Sequence, residues 1–269
     1  MGLYLVLAVI GIAGGILTGL LGIGSGIIYV LILPYALGHH GVTQDLITQY
    51  TIANSFFGMV FASLSANITN FFHRDIHWRE SLTVSIPGAL LSVLLLKLIV
   101  VQPWYSYRVF SILLIGFLLF ILVSYHMGQG RVHTRDQLPA RVLAFSGLFS
   151  GSLSALTGLG GGGILIPILS FRYHMDIKKA KSISLIMIFV VSFTLTLFTL
   201  FEVPRQTYTA FQSGYILFPV ALPLSLGVIL GSPAGVKLGH YLSSKTISLI
   251  FSLVILVVIV EKLISTLGF

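Results

Sequence analysis

Two stretches decide the fold: Gly19–Leu33, GLLGIGSGIIYVLIL, and Ala155–Leu169, ALTGLGGGGILIPIL. Each lies inside an apolar run and is interrupted by clustered glycines, at Gly22-Ile23-Gly24-Ser25-Gly26 in the first and at Gly158 to Gly163 in the second. A glycine in a helix interior costs roughly 1 kcal/mol relative to alanine, so a helix break is expected in both places. Backbone left unpaired at membrane depth is tolerated only where protein or a water-filled cavity satisfies it. Such breaks therefore predict a site.

A shift of 136 residues superposes the first stretch on the second. Gly11, Gly15, Gly22, Gly24 and Gly26 fall on Gly147, Gly151, Gly158, Gly160 and Gly162, while Gly14 and Gly19 fall on the small residues Ser150 and Ala155. With 28 glycines in 269 residues, chance would align about one of these seven. Weaker echoes place Thr51 on Ser184 after a short gap and set Ser85-Ile86-Pro87-Gly88 beside Ser225-Leu226-Gly227. The reading is of two related units, residues 1–127 and 140–269, joined by a solvated cytoplasmic linker at 128–139 that contains Gly128, Gly130, Arg131, Arg135 and Asp136.

The rest of the chain is that of a polytopic membrane protein. It is 56% hydrophobic and 8% charged, with a mean hydropathy of +1.03, against about a quarter charged in a soluble domain. Apolar runs at 3–21, 47–67, 84–101, 109–125, 183–200, 214–236 and 246–264 each approach the ~20 residues that span a hydrocarbon core. Residues 1–4 carry no basic group and the first run exceeds a signal-peptide core, so no cleavable leader is expected. The net charge of +8 is read as basic cytoplasmic loops rather than as a nucleic-acid surface. No cysteine is present, which excludes disulfides and thiolate metal sites.

Lysine and arginine placement discriminates between two topologies. If each broken segment crosses once, the 15 basic residues divide seven against eight. If each instead returns to its starting side, Arg74, Arg79, Arg131, Arg135, Arg141, Arg172, Lys178, Lys179, Lys181, Lys237 and Lys245 share one side, leaving only Lys97, Arg108, Arg205 and Lys262 on the other. Eleven against four is the asymmetry of the positive-inside rule. The expectation is an all-α transmembrane bundle of 8–10 helices in the plasma membrane, built from two inverted repeats, each starting with a Gly-broken re-entrant hairpin. Both termini then lie on the outer face.

A substrate site is expected where the two breaks meet. Glycines let backbone amides approach a ligand, and helix N-termini favour anions. The candidate substrate-binding residues are Gly22, Gly24, Ser25 and Gly26 in the first break and Thr157, Gly158, Gly160, Gly161 and Gly162 in the second, with Thr18 and Ser154 close by. The following helices add Gln49, Thr51 and Asn54, on a small polar face with Ser55, Gly58 and Ala62, and Ser184 in the second unit. A hydroxyl at such a place serves either a site or helix packing. Gly11, Gly15 and Gly19, and the stripe Gly227, Gly231, Gly235, fit close helix packing.

No Asp, Glu, Lys or Arg is expected mid-span, so no proton carrier is named. The adjacent His39 and His40 are read as loop residues, and no metal or cofactor is expected. The chain has no H-E-x-x-H, Walker loop or nucleophile elbow, and Gly160–Gly163 lacks the Lys-Ser/Thr of a phosphate loop. An enzyme is therefore not expected.

The assembled motifs resemble the TauE/SafE sulfite exporter family, also called the toluene-sulfonate uptake permease family. The resemblance rests on the two glycine-rich stretches, each opening one half of a duplicated chain. The second is nearer the family pattern; the first departs from it with Ser25 among the glycines and Leu31 where the second has Pro167. The resemblance implies secondary transport of a small sulfur-containing anion such as sulfite or an organosulfonate; it covers both export and uptake, and export is the direction expected here. An anion channel, or an uptake permease for a sulfonate or other small organic acid, stays open. Expected partners are the anion and the lipid bilayer, with no nucleic acid; a homo-oligomer is left open.

Overall fold

The computed structural model describes residues 2–72, 76–102, 104–127, 138–242 and 244–267. Most of the expected linker, residues 128–137, lies outside the described residues, as do Arg74, Arg131 and Arg135.

The chain forms ten α-helices among the described residues. The first five are α1 (Gly2–Leu21), α2 (Gly26–His39), α3 (Ile47–Phe72), α4 (Trp78–Leu95), which closes in a π turn (Leu96–Val100), and α5 (Tyr107–Met127). They are followed by α6 (Ala140–Thr157), α7 (Gly162–Pro167), which continues as a π turn (Ile168–Arg172), α8 (Ile177–Phe201), α9 (Phe218–Tyr241) and α10 (Ser244–Leu267). Between α8 and α9 a small antiparallel hairpin pairs β1 (Gln212–Ser213) with β2 (Ile216–Leu217). Five helices are long and apolar enough to cross a membrane: Gly2–Leu21, Ile47–Phe72, Trp78–Val100 (α4 with its π turn), Ile177–Phe201 and Phe218–Gly239. A helix satisfies its backbone internally, which is why such sequences adopt it in lipid.

The polarity of the bundle is reversed relative to a water-soluble protein. Leu5 and Phe145 stand 71% exposed, with Leu90 and Leu230 close to them, whereas Thr18, Ser25, Thr51, Asn54, Ser55, Ser154 and Ser184 are buried. An apolar exterior needs a lipid solvent.

Both broken segments turn back on themselves. A Cβ placed on Gly14 of α1 would meet Ser25 Cβ at 3.2 Å and Tyr29 Cε1 at 3.4 Å. Fifteen residues of straight helix would separate Gly14 from Tyr29 by about 22 Å, so α2 folds back along α1. In the second half, Gly161 sits against the Ser150 carbonyl, 2.7 Å from the equivalent Cβ position. Two hairpins result.

Packing between elements repeats itself when the first five helices are exchanged for the last five. The most extensive contact is α1 with α9, and its equivalent, α6 with α4, comes second; α3–α9 matches α8–α4, and α2–α3 matches α7–α8. Small residues permit these approaches. Cβ positions on Gly15 and Gly88 would lie 2.6 Å from the Val228 carbonyl oxygen and 2.8 Å from that of Gly147. The stripes Gly11/Gly15/Gly19 and Gly227/Gly231/Gly235 therefore pack against each other.

The contacts also give helix direction. Asn54 meets Leu217 and Ser65 meets Ile229, so α3 and α9 run parallel. Glu80 pairs with Lys179 and Gly88 touches Met187, so α4 and α8 run parallel. Met59 and Ile188 adjoin the same glycines while Asn67 reaches back to the Leu185 carbonyl, so α3 and α8 oppose each other.

Candidate functional site

The hairpin tips are built by glycines in a conformation that other residues rarely adopt. Gly22 (φ +71°) and Gly158 (φ +68°) end α1 and α6, their amides donating to Thr18 and Ser154 carbonyls at 2.9 Å and 2.8 Å. Gly24 (φ +84°) and Gly160 (φ +82°) complete the reversal. This left-handed backbone is disfavoured by about 1–2 kcal/mol for a residue bearing a Cβ. Ser25 departs from the glycine pattern without strain because its φ is −74°, whereas its counterpart Gly161 has φ +72°. One difference between the two stretches is thus a difference in backbone.

The tips meet each other. A Cβ on Gly26 would lie 2.6 Å from the Gly158 carbonyl oxygen, and one on Gly162 would lie 2.7 Å from the Gly22 carbonyl oxygen. Those two carbonyls are also matched in their side-chain donors: Ser55 Oγ donates to Gly158 O at 2.8 Å and Ser184 Oγ to Gly22 O at 2.7 Å. The start of each short helix thus abuts the carbonyl end of the other hairpin's first helix. Met59 Sδ and Ile188 fill the space over both tips, each within 3.6 Å of the Cβ positions of Gly24 and Gly160. The centre is sealed.

The pairing of hydroxyls corrects the sequence alignment. The weak sequence echo places Thr51 on Ser184; the contacts instead make Ser55 the partner of Ser184, a shift of 129 that also matches Met59 with Ile188 and Ser63 with Ser192. The loop and short helix before α8 are shorter than those before α3, which changes the offset from 136. Ser85 and Ser225 both donate to the carbonyl four residues back, in keeping with their expected equivalence.

The structure brings together Gly22, Gly24, Gly26, Gly158, Gly160, Gly162 and Ser184. Ser25 and Gly161 sit beside them but face the first helix of their own hairpin. The Ser25 and neighbouring Tyr29 hydroxyls are buried without a well-directed hydrogen bond, as are those of Ser150, Ser154 and Thr51. Thr51 stands one turn from Ser55 on α3. Thr157 and Thr18 donate to carbonyls of their own helices, Leu153 at 2.6 Å and Gly14 at 2.9 Å.

Asn54 and Gln49 are placed as struts around the site. Asn54 donates to the Tyr50 and Tyr215 carbonyls at 2.7 Å and 3.0 Å and accepts from the Leu217 amide at 3.0 Å, fastening the β hairpin onto α3. Gln49 Nε2 donates to the Val100 carbonyl at 3.1 Å, and its Oε1 is buried without a partner.

Sequence reasoning missed two cations. Lys181, which charge counting places only on the basic side, lies in α8 with its stem against Gly22. Its spacing to Ser184 and Ile188 is helical, a signal that was present. Lys262, which charge counting places only on the less basic side, is fully buried: Nζ donates to Tyr107 Oη at 2.8 Å and pairs with Glu261 at 3.2 Å, while Tyr35 Oη donates to the same carboxylate at 2.7 Å. A groove of about 540 Å³ between α2 and α10 ends at this cluster. His39 and His40 adjoin edge to face at 6.0 Å, and the described residues hold no group of three metal-ligating side chains.

The arrangement is two backbone-lined tips in a neutral, hydroxyl-bearing centre, closed by direct contact. Parting the tips would expose amides and carbonyls to whatever enters.

Comparison with known proteins bears on what enters. The family model for Sulfite exporter TauE/SafE matches residues 5–261. A probable membrane transporter protein of Methanocaldococcus jannaschii is 27% identical over 242 residues, covering 89% of this chain and 87% of that protein. The probable membrane transporter protein YunE of Bacillus subtilis is 23% identical over 266 residues, covering 92% of each.

Proposed function

Because the chain belongs to the Sulfite exporter TauE/SafE family, and is a multi-pass membrane transporter on that ground, we propose that it is a secondary exporter of a small sulfur-containing anion. Sulfite and organosulfonates are the substrate class. The observation that carries this reading is the reciprocal tip contact, Gly26 on Gly158 and Gly162 on Gly22. Two equivalent hairpins that seal against each other at a glycine-lined centre are suited to part toward one face or the other. On this reading the units 1–127 and 140–269 are inverted in the plasma membrane. Residues 128–139 are cytoplasmic and both termini are outside.

The substrate is bound, on this proposal, where the tips part. The backbone of Gly24, Gly26, Gly160, Gly161 and Gly162 provides amides, and the Ser25 and Thr51 hydroxyls add donors. Gly22 and Gly158, whose amides are held by Thr18 and Ser154, form the tip walls, and Thr157 and Ser184 would turn their hydroxyls from the Leu153 and Gly22 carbonyls. Gln49 and Asn54 hold the surrounding elements. Amide and hydroxyl donors suit an oxyanion, since each contributes a charge-assisted bond to it. The chain has no nucleotide-binding motif, so a gradient drives the cycle. The direct seal favours alternating access over an open anion channel.

The test is counterflow in proteoliposomes preloaded with sulfite, thiosulfate, sulfate or small sulfonates, alongside a thermal-shift screen of the same anions. Trans-acceleration by at least one sulfur anion is expected. Anion flux without trans-acceleration would establish a channel, and transport of neutral solutes alone would overturn the substrate class.

A further inference from the structure

The two tips match in backbone but differ in the residue that covers them. The shift that lays Ser55 on Ser184 and Met59 on Ile188 also lays Ile52 on Lys181. Each of these covers the equivalent glycine. Ile52 Cγ1 stands 3.4 Å from the Cβ position of Gly158, and the Cγ of Lys181 occupies the corresponding place at Gly22. Lys181 then reaches on to α9, where its Nζ lies 2.9 Å from the Cβ position of Gly239, a point 3.5 Å from the Leu20 carbonyl oxygen at the end of α1.

Resting on the transporter reading, we infer that Lys181 is a substrate-binding residue of one half-site only, drawing the anionic substrate to the Gly22 tip from the lysine-rich face. A lysine ammonium on a four-carbon stem can swing between neighbouring acceptors. Its rest position beside the carbonyl end of α1 is favourable for a cation, and an arriving oxyanion offers a full negative charge in its place. The opposite half-site has the uncharged Ile52 instead. The protein therefore holds its anion more tightly from the face that carries Lys178, Lys179 and Lys181 than from the other. On the proposed topology that face is cytoplasmic, and the asymmetry runs toward capture inside and release outside.

A purely structural role for Lys181, neutralising the end of α1, would alter stability without altering sidedness. The deciding experiment uses uniformly oriented protein in proteoliposomes, with sulfite and methanesulfonate as probes, and measures half-saturation and maximal rate from each face. The variants are Lys181→Ile, which copies the other half-site, Lys181→Arg and Ile52→Lys. Lys181→Ile is expected to raise half-saturation on the lysine-rich face by about 10-fold, the equivalent of one charge-assisted hydrogen bond. The other face should keep its wild-type value, and Lys181→Arg should restore most of the loss. Ile52→Lys should lower half-saturation on the opposite face. Equal half-saturation shifts on both faces, or a fall in rate and melting temperature alone, overturn the assignment. Should wild type move anions while Lys181→Ile behaves identically, this inference fails and the transporter reading stands; should wild type move no anion, the reading itself fails and the inference with it.

Discussion

Substituting Gly26 by alanine tests the seal between the hairpins directly. Gly26 lies in ordinary helical backbone, so a methyl group adds no conformational strain there. It would, however, lie 2.6 Å from the Gly158 carbonyl oxygen and 2.7 Å from Leu159 Cα, both backbone atoms. Ordinary contact begins at 3.4 Å, so the tips must separate by about 0.8 Å. Overpacking of this kind costs about 1–3 kcal/mol, which corresponds to a melting temperature lower by roughly 2–12 °C for a chain of this size. Gly158→Ala is the control: its Cβ meets nothing closer than Ile52 at 3.4 Å, and its φ of +68° confines the loss to local strain. The informative variant is Gly26→Ala with Gly162→Ala. Both methyl groups press across the same interface, so one displacement relieves both, and the combined loss should fall short of the sum. Melting of the detergent-solubilised protein, followed by size-exclusion of the remaining monodisperse fraction, gives all four values. A Gly26→Ala protein as stable as wild type, or strictly additive losses, would refute direct tip-to-tip contact.

Ser55→Ala and Ser184→Ala should destabilise by similar amounts, about 1–2 kcal/mol each, because each leaves one tip carbonyl without its donor; a silent Ser184→Ala would break the equivalence of the tips. Lys262→Met should lower stability by about 3 kcal/mol by leaving Glu261 without its cation, whereas Lys262→Met with Glu261→Gln should recover most of it. Melting curves of the three proteins decide, and a single variant no worse than the double would show the pair to be unimportant. Reporter fusions at Phe269 and within residues 128–137 should report opposite sides of the membrane, and a cytoplasmic C-terminus would overturn the proposed sidedness.

The hairpins were legible in the sequence because their geometry has a compositional requirement. A left-handed backbone at Gly22, Gly24, Gly158 and Gly160 disfavours side chains, so the residues that make the reversal announce it. The small-residue stripes were legible for a similar reason, although which stripe meets which was not. Hydroxyl partners were harder to read. Thr51 and Ser55 lie one turn apart on α3, and only the length of the preceding loop selects which of them reaches a tip carbonyl. Asn54 is legible as a buried polar residue of α3, but its bonds to Tyr50, Tyr215 and Leu217 join it to the β hairpin far along the chain, which no local spacing reveals.

Lys181 and Lys262 mark the boundary most clearly. Charge counting assigns a residue to a side of the membrane but says nothing of its depth or of what its stem covers. The sequence by itself determined a membrane-embedded helical bundle and the two glycine-built reversals, because hydropathy and glycine backbone are properties of the chain taken locally. Which tip touches which, which hydroxyl serves which carbonyl, and which lysine lies against a glycine were decided only by the tertiary structure. Those contacts join residues more than a hundred positions apart, and local propensity does not reach that far.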